Sequence, residues 1–409
     1  MIEVRSRFLP LLFALVTLAG CSDDSSQTSS SGGPRCDPSA VPVLLASKND
    51  DDDGDGNTLD EHFPEIDDED DDIADHTWIR DHTGRYHLFF HNEGRGAPFF
   101  IEHYTSSDLK VLHYVGRALE AQPGAWDAGG AWSPYVIEVK GTYYMFYTGI
   151  EGIQAGAKQR IGLAISSDLT HWTRAHVNHC PGTTGDGCIY ECDETWTRYA
   201  DSSDPFNQQC RDTFVMHDDE HDRFLLFATA RSTNGYGVVT VAWSEDLTTW
   251  TGAGYINATR RLATGVGAQT TGGQCENPFV VSHGGTNYLL FTDWQDPEDS
   301  VSVATPRTIV QYATSTTLDV DADGSAGWVY AGYIPDPGVN AIEVIHYNDD
   351  TWLMSQSLSN PHSGYVKPLR RMLKLKCIDW GPGTSFTTTN VSYDEPAATE
   401  LLAPALPDH

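Results

Sequence analysis

The sequence is poor in basic residues and in long apolar runs. Its 409 residues include 25 lysines and arginines against 58 aspartates and glutamates, which gives a formal net charge of −33. Nucleic acids and anionic lipids are bound through patches of lysine and arginine, so this charge argues against both classes of partner. A neutral or cationic partner fits better. After the N-terminal segment, no stretch approaches the length of a transmembrane helix, and the pattern predicts no amphipathic helix of useful length.

The N-terminal segment has the features of an export signal. Arg5 and Arg7 precede an apolar run, 8–19, which is too short to span a bilayer and fits the hydrophobic region of a signal peptide. The run leads into Leu-Ala-Gly-Cys, which resembles the cleavage box of bacterial lipoproteins. We therefore expect residues 1–21 to be a signal that ends at a lipid-modified Cys21, with an ordinary secretion signal as the alternative. A two-chain lipid anchor would hold the exported protein at the cell envelope as its sole contact with a membrane.

Residues 22–72 have the composition of a tether and an acidic segment. Their serine, aspartate and glycine content cannot bury enough apolar surface to order the chain. Alternating aspartates at 51–55, followed by Gly56, match the front half of a calcium-binding loop. His62 stands where such a loop needs a glutamate, and the composition favours the alternative of a solvated acidic face.

Seven of the eight cysteines follow Cys21. In an exported protein most of them should form disulfides, and an odd number leaves at least one free. We expect Cys275 to be free because it adjoins Glu276 in a strand-like run. Cys36 and Cys377 would tie the two ends together. The other four would staple one loop-rich region, with zinc as an alternative although paired CxxC spacing is lacking; these are Cys180, Cys188, Cys192 and Cys210.

From about Ile73 onward, one unit occurs five times. Each copy begins with a short apolar run, continues through a polar turn, and then enters a strand led by an aromatic residue. The aromatic-led runs are 86–90, 143–147, 224–227, 288–291 and 352–354. In three copies a later strand is followed by a turn of the type Ser-Asp-Leu or Glu-Asp-Leu, at 107–109, 167–169 and 245–247. Successive copies lie about 60 to 80 residues apart, a spacing typical of large repeated β units.

Short strands separated by turn residues indicate an all-β protein, and four strands in each repeat indicate the blade of a propeller. We therefore predict a five-bladed β-propeller over residues 73–395, with four-stranded antiparallel blades around a central axis and a tail at 396–409. Radial repetition keeps the sheet edges short because each blade packs on its neighbours. It also directs the heads of the innermost strands to one end of the axis, where residues distant in sequence should meet.

Three carboxylates stand at the heads of predicted innermost strands: Asp75 in the first blade, Asp212 in the third and Glu276 in the fourth. The pattern predicts that they occupy equivalent points of the repeat and share one funnel. Like charges in a funnel repel each other, so at least one pKa should rise and leave a proton donor beside an ionised partner. Cleavage of a glycosidic bond requires such a pair.

At these residues the chain resembles the five-bladed furanosidase-type glycoside hydrolases of families 43 and 32. The resemblance covers residues 73–380. It rests on Ala-Asp-His-Thr-Trp-Ile at 74–79, Trp-Ser-Pro-Tyr-Val at 132–136, Arg-Asp-Thr-Phe at 211–214 and Glu-Asn-Pro at 276–278. The second motif looks most like family 43, whereas the adjacent Cys275 and Glu276 are also similar to family 32. The chain departs from the pattern at His76 and Thr213, where proline is usual.

The resemblance implies that Asp75 is the catalytic base or nucleophile, that Asp212 tunes the pKa of the acid and orients substrate, and that Glu276 is the general acid. It implies hydrolysis of O-glycosidic bonds in a furanoside-containing or related oligo- or polysaccharide, with no required cofactor. The likeness to family 43 implies inversion and the likeness to family 32 implies retention. Carboxyl groups about 6.5–9.5 Å apart would fit inversion, and groups about 5–5.5 Å apart would fit retention.

Further residues are candidates for binding roles. Trp132, Arg211, Arg231 and Trp294 are expected to contact substrate, and His346 would ligate a structural calcium on the axis. A structural role for His346 is the alternative. We expect a monomer. The competing hypothesis for the whole chain is a carbohydrate-binding propeller without catalytic activity, which the altered Asp-Pro motifs support.

Overall fold

The structure is a computed structural model that describes residues 73–92, 98–109, 112–152, 157–198, 209–257, 275–293, 309–321, 327–334, 339–348, 351–358, 373–381 and 383–390. Three residues with predicted roles lie outside these ranges: Cys21, Cys36 and Trp294. The predicted signal, tether and tail lie outside them as well, so those assignments stay predictions. Cys377 is disulfide-bonded, and its pairing with Cys36 also stays a prediction.

The repeats correctly predict the fold class. The described secondary structure consists of β-strands in five antiparallel sheets, and within each sheet the strands pair in chain order. This part of the chain contains no helix long and apolar enough to cross a bilayer.

The strand boundaries follow the five repeats. The first blade contains β1 (Ile73–Arg80), β2 (Tyr86–Asn92), β3 (Ile101–Ser106) and β4 (His113–Leu119). The second contains β5 (Gly130–Val139), β6 (Thr142–Ile150), β7 (Gln159–Ser166), β8 (Thr173–Arg174) and a short additional strand, β9 (Cys188–Tyr190), which pairs with β7. The third contains β10 (Cys210–Asp218), β11 (Arg223–Arg231), β12 (Gly237–Ser244) and β13 (Thr251–Ile256).

The last two blades keep the four-stranded pattern. The fourth contains β14 (Glu276–His283), β15 (Thr286–Asp293), β16 (Ile309–Ser315) and β17 (Val329–Ile334). The fifth contains β18 (Val339–Asn348), β19 (Thr351–Leu358), β20 (Leu373–Trp380) and β21 (Phe386–Asn390). The first strand of every blade contacts the first strands of its two neighbours, and β18 contacts β1, so the ring is closed.

The aromatic-led second strands form the core between blades. Phe89, Phe146 and Phe227 on these strands are fully buried, because each sheet is covered on both faces by its neighbours. Near the axis, the ring of Phe214 lies 4.5 Å from that of Phe279 and 4.8 Å from that of Tyr135. These aromatic rings pack three different blades against one another.

The repeated Ser-Asp-Leu motif forms a tight turn after the third strand of a blade. In the second blade, Ser166 Oγ accepts the amide of Leu169, and Asp168 Oδ1 accepts the two amides that follow Leu169. Leu169 has a φ of 65°, and the Trp172 indole donates to its carbonyl. The third blade repeats these contacts at 244–250. The motif is therefore explained by turn geometry.

The cysteine cluster of the loop-rich region forms disulfides and not a zinc site. Cys180 is bonded to Cys188, and Cys192 is bonded to Cys210. Among the described residues, no group of three metal-binding side chains comes together. Cys275 is buried and is not part of a disulfide, as predicted.

Candidate active site

The innermost strands share an irregularity at one end of the axis. Each carries a β-bulge close to its first residue, which the pairing places between Ile73 and His76, Trp132 and Tyr135, Arg211 and Phe214, Glu276 and Phe279, and Val339 and Ala341. In blades two to four, one bulge residue has a positive φ: Ser133 at 43°, Asp212 at 55° and Asn277 at 50°. Residues other than glycine rarely adopt this conformation and keep it only where their surroundings enforce it. Such bulges redirect side chains next to functional sites.

Side chains from the preceding blade hold two of these bulges. His91 Nδ1 accepts the amide of Ser133 at 3.3 Å, and Thr148 Oγ1 accepts the amide of Asp212 at 3.0 Å. Both acceptors follow the aromatic residues of a second strand and are buried. Neither residue was among the predicted site residues, although in both of these blades a polar residue directly follows the aromatic-led run.

Ser133 joins Asp75 to Asp212. Its Oγ lies 2.5 Å from Asp75 Oδ2 and 2.8 Å from Asp212 Oδ1. Asp212 and Ser133 are buried, whereas 15% of the Asp75 side chain remains exposed. Carboxylates from the first and third blades are therefore held by one hydroxyl from the blade between them.

Arg211 joins Asp212 to Glu276. Its Nε donates to Asp212 Oδ2 at 3.1 Å, its Nη2 donates to Glu276 Oε1, and its Nη1 donates to Gln159 Oε1 at 3.2 Å. Thr229 Oγ1 lies 3.0 Å from Asp212 Oδ2 and 2.9 Å from the carbonyl oxygen of Cys275, and its one hydrogen can be donated to either. Asp75, Asp212 and Glu276 thus belong to one continuous network of hydrogen bonds, although they come from three different blades.

The prediction that the three acids occupy equivalent points is wrong for Glu276. The residues that pair with the second strands directly after the bulges define the register, and they are Tyr135, Phe214 and Phe279. Ser133, Asp212 and Asn277 each lie two residues before these reference positions, so they are equivalent. Glu276 lies three residues before Phe279, and its equivalent in the third blade is therefore Arg211. Because Arg211 and Glu276 hold the same position in adjacent blades, the guanidinium can reach the carboxyl group across the blade interface.

The environment of Glu276 favours its neutral form. Burial raises the pKa of this carboxyl to about 8, the Arg211 guanidinium opposes the shift, and the negative charges of Asp212 and Asp75 add to it. Desolvation outweighs the single nearby cation because the carboxyl is only 8% exposed. At neutral pH Glu276 therefore holds a proton beside carboxylates that are closer to water or better compensated.

A small cavity lies on the axis at this end of the ring. Its lining comes from all five blades and consists of Asp75, His76, Ser133, Pro134, Tyr135, Asp212, Thr213, Phe214, Asn277, Pro278, Phe279, Ile342 and Glu343. Glu343 is buried and accepts the amide of Trp78 at 2.6 Å, and burial raises its pKa well above the usual range. The wall of the cavity therefore combines three acidic groups with both polar and apolar side chains.

The candidate substrate-binding residues differ in burial and in the groups they contact. Trp132 is half-buried next to Ser133, and its ring packs on His91 and Phe99. Arg211 is buried within the network of acids. Arg231 is also buried, and its Nη1 donates to the carbonyl of Gly235. Their roles in binding substrate stay predictions, as does that of Trp294.

His346 lies near the end of β18, away from the head of the strand. It is exposed, and its ring stacks on Trp352 with the centroids 4.3 Å apart. The described residues around the axial cavity do not include it. The calcium role of His346 stays a prediction.

The arrangement combines two functions that acid–base chemistry requires. A buried carboxyl that stays protonated at neutral pH can deliver a proton to a leaving oxygen. A more exposed carboxylate across the same network can take a proton from water. Asp212 and Arg211 between them fix the relative positions of donor and acceptor.

Comparison with known proteins is consistent with this geometry. Residues 70–381, which make up most of the chain, match the sequence profile of glycosyl hydrolases family 43. No protein of curated function matches the sequence significantly.

Solved structures with similar folds include both furanosidases and xylan-degrading enzymes. The GH32 beta-fructofuranosidase of Bombyx mori is 15% identical over 78% of this chain and 63% of its own, with a TM-score of 0.56. Sucrose-6-phosphate hydrolase from Lactobacillus gasseri is 17% identical over 78% and 61%, with a TM-score of 0.57. An endo-1,4-beta-xylanase from Bacteroides thetaiotaomicron is 18% identical over 79% and 96%, with a TM-score of 0.55. The chain spans less than two thirds of the first two proteins, and the likeness is one of fold.

Proposed function

The chain belongs to glycosyl hydrolases family 43, and on this premise we propose that it hydrolyses the O-glycosidic bonds of a furanoside-containing or related glycan. In this proposal Glu276 is the general acid, Asp75 is the general base and the reaction inverts the anomeric configuration. Asp212 and Arg211 position the acid and tune its proton affinity.

The protonation of Glu276 carries the proposal. Burial raises the pKa of Glu276 to about 8, so the carboxyl holds a proton at the pH where most glycosidases work. Asp75 is the more exposed member of the network, which suits a group that must meet water. This division into a buried acid and a partly solvated base is the one that glycosidic cleavage requires.

Inversion is proposed because the chain belongs to family 43, and the likeness to that family implies inversion. The path of hydrogen bonds from Asp75 to Glu276 passes through Ser133, Asp212 and Arg211. A direct separation of about 6.5–9.5 Å between the two carboxyl groups would leave room for a water molecule between base and sugar.

The charge of the chain favours a neutral glycan. Four acidic side chains lie in or beside the axial cavity, and the net charge is −33. A sugar acid would be repelled by the carboxylates of Asp75 and Asp212, because Arg211 already donates to Asp212 and Glu276. Neutral pentose or hexose units would not.

Product release from a panel of polysaccharides tests the proposal. Purified protein is incubated with arabinan, fructan, xylan and galactan, and the products are separated by chromatography. Proton NMR of the first anomer released then distinguishes inversion from retention. Hydrolysis with retention would favour a fructosidase-type mechanism, and binding without hydrolysis would favour the carbohydrate-binding propeller. A protein with intact fold that neither hydrolyses nor binds any of them contradicts the proposal.

We also propose that the protein is exported and anchored to the cell envelope through a lipid on Cys21. Two disulfides support an oxidising compartment: Cys180–Cys188 and Cys192–Cys210. Labelling of cells with a radioactive fatty acid tests the anchor, since wild type should be labelled and Cys21→Ser should not. Equal labelling of both would argue against this site.

A further inference from the structure

The hydroxyl group of Ser133 is held between two carboxyl groups. Its oxygen lies 2.5 Å from Asp75 Oδ2 and 2.8 Å from Asp212 Oδ1. The left-handed backbone of Ser133, with a φ of 43°, and the hydrogen bond from its amide to His91 fix the place of this oxygen. The ionisable groups that face Asp75 are His91, with its Nδ1 3.9 Å from Asp75 Oδ2, and the charged network of Asp212, Arg211 and Glu276. The residue is 3% exposed, so the backbone and its neighbours, and not bulk water, determine what the hydroxyl contacts.

One hydroxyl hydrogen cannot serve both carboxyl groups at once. A serine donates a single hydrogen bond and accepts others through its lone pairs. If Asp75 and Asp212 were both ionised, the second contact would set a negative oxygen against those lone pairs in a buried place. With one additional proton both contacts become hydrogen bonds, because a protonated carboxyl donates to Ser133 and Ser133 donates to the other carboxylate.

The other contacts of Asp212 leave its Oδ1 oriented towards the Ser133 hydroxyl. Its Oδ2 accepts a hydrogen bond from Arg211 and lies within hydrogen-bonding distance of the Thr229 hydroxyl, whose one hydrogen can also go to the Cys275 carbonyl. The amide of Asp212 donates to Thr148. These contacts hold the backbone of Asp212 and its Oδ2, so its Oδ1 faces Ser133. The geometry suits a cluster of two carboxyl groups and one hydroxyl that stabilises one proton once Asp75 has taken it up.

We propose that Ser133 is a positioning residue for the base, and that it couples Asp75 to Asp212 so that the three groups together take up the proton lost by the attacking water. This inference rests on the proposed function. As the water oxygen bonds to the anomeric carbon, one water O–H bond breaks and its proton goes to Asp75. The glycosidic C–O bond breaks, and the leaving oxygen receives the proton of Glu276. Protonated Asp75 then donates to Ser133 Oγ, and the Ser133 hydrogen turns to Asp212 Oδ1.

Two substitutions remove the hydroxyl in different structural ways. Ser133→Gly adopts a positive φ without strain, whereas Ser133→Ala retains the backbone restriction. In both, the acidic limb of kcat/KM against pH should move about one unit to lower pH, because Asp75 loses a group that stabilises its protonated form. We expect kcat to fall by about 10- to 100-fold with KM almost unchanged. The basic limb, assigned to Glu276, should stay in place.

A double substitution tests the coupling. If Ser133 acts through Asp212, adding Asp212→Asn to Ser133→Gly should move the acidic limb no further than Asp212→Asn alone, since the two changes break the same coupling. Additive shifts, or an unchanged acidic limb and kcat in both folded Ser133 variants, would overturn the proposal. A residue with a merely structural role would lower the melting temperature and leave the pH limbs alone.

A readout without turnover separates this inference from the proposed function. In protein labelled with carbon-13 at aspartate carboxyl carbons, the resonances of Asp75 and Asp212 should titrate in linked steps. In Ser133→Gly the two titrations should become independent. If the wild type hydrolyses nothing, the proposed function fails and this titration still decides the coupling. Independent titration in the wild type would refute the coupling itself.

Discussion

Arg211 and Glu276 hold the same position at the heads of neighbouring blades, and the guanidinium of Arg211 donates to the carboxyl group of Glu276 across the interface. The same guanidinium donates to Asp212 on its own strand. One cation thus faces two carboxyl groups in a buried place. It can compensate one charge fully. Asp212 also has the hydroxyl oxygens of Ser133 and Thr229 within hydrogen-bonding distance, so Glu276 is the group that keeps its proton.

Replacing Glu276 by glutamine should abolish most activity while the fold remains. The amide is similar in size but cannot donate a proton to the leaving oxygen, so kcat should fall by about 10²- to 10⁴-fold on unactivated glycans. Aryl glycosides with good leaving groups should be affected much less. Glu245→Gln, at an exposed site in the turn that follows β12 in the same blade as Asp212, is the matched control. Full activity of Glu276→Gln on polysaccharide would exclude Glu276 as the acid.

The pH profile of the wild type should fall on the basic side near pH 8. Glu276 must be protonated to act, and its pKa in the free protein is raised to about 8 by burial. The rate therefore decreases as pH rises through that value. The measurement is kcat/KM across pH 4 to 10 in constant ionic strength. A basic limb near pH 5, typical of an exposed glutamate, would contradict the assignment.

Removing the positive charge of Arg211 should move the basic limb of the pH profile to still higher pH. In Arg211→Met, Glu276 loses the charge that opposes its raised pKa, so the basic limb should shift to higher pH. The same substitution leaves Asp212 buried without its guanidinium partner, and the free energy of unfolding should fall by about 3 to 5 kcal/mol. Arg117→Met, which removes a more exposed ion pair with Glu120, should change neither quantity appreciably. Urea unfolding and the pH profile of the two variants distinguish the effects.

The Ser-Asp-Leu turn of the second blade, at 167–169, should contribute to the free energy of unfolding although it lies away from the candidate active site. Asp168→Ala removes the acceptor of two backbone amides and should lower the free energy of unfolding by about 1 kcal/mol, with catalysis unchanged. Asp246→Ala should behave alike, because the third blade repeats the turn. An exposed neighbour, Glu245→Ala, serves as the reference in thermal melts. No loss of stability in either aspartate variant would show that these hydrogen bonds contribute little.

The first blade contains a buried pair of histidines that should make the fold sensitive to acid. His87 Nδ1 and His103 Nε2 lie 2.8 Å apart. Burial lowers the pKa of His103 to about 3, and the neighbouring His87 adds to the shift. A depressed histidine pKa stabilises the fold above the unfolded value near 6.5, and this stability is lost as pH falls towards 3.

Lowering the pH from 7 to 5 should therefore reduce the free energy of unfolding by roughly 2 kcal/mol through this group. In His103→Gln the difference between the two pH values should shrink, whereas His82→Gln, at an exposed site, should retain it. Urea titrations at both pH values provide the measurement. An equal pH dependence in wild type and His103→Gln would assign the acid sensitivity to other groups.

Much of this protein can be read from its sequence because its signals are local. The aromatic-led runs and Ser-Asp-Leu turns predict five β-sheet repeats, since strand alternation and turn geometry depend on neighbouring residues. The heads of the innermost strands also identify Asp75, Asp212 and Glu276 as candidates that a closed ring would bring together. Cys275 could be expected to be free from parity and context alone.

What the tertiary structure decides is register and environment. The bulges and their positive φ angles place Glu276 one residue out of step with Asp212, and a repeat pattern does not reveal such a shift. Ser133 reaches both aspartates only because blade two lies between blades one and three. The raised pKa of Glu276 comes from desolvation and from charges on other blades. Such terms depend on distances in space, and the order of residues along the chain does not contain them.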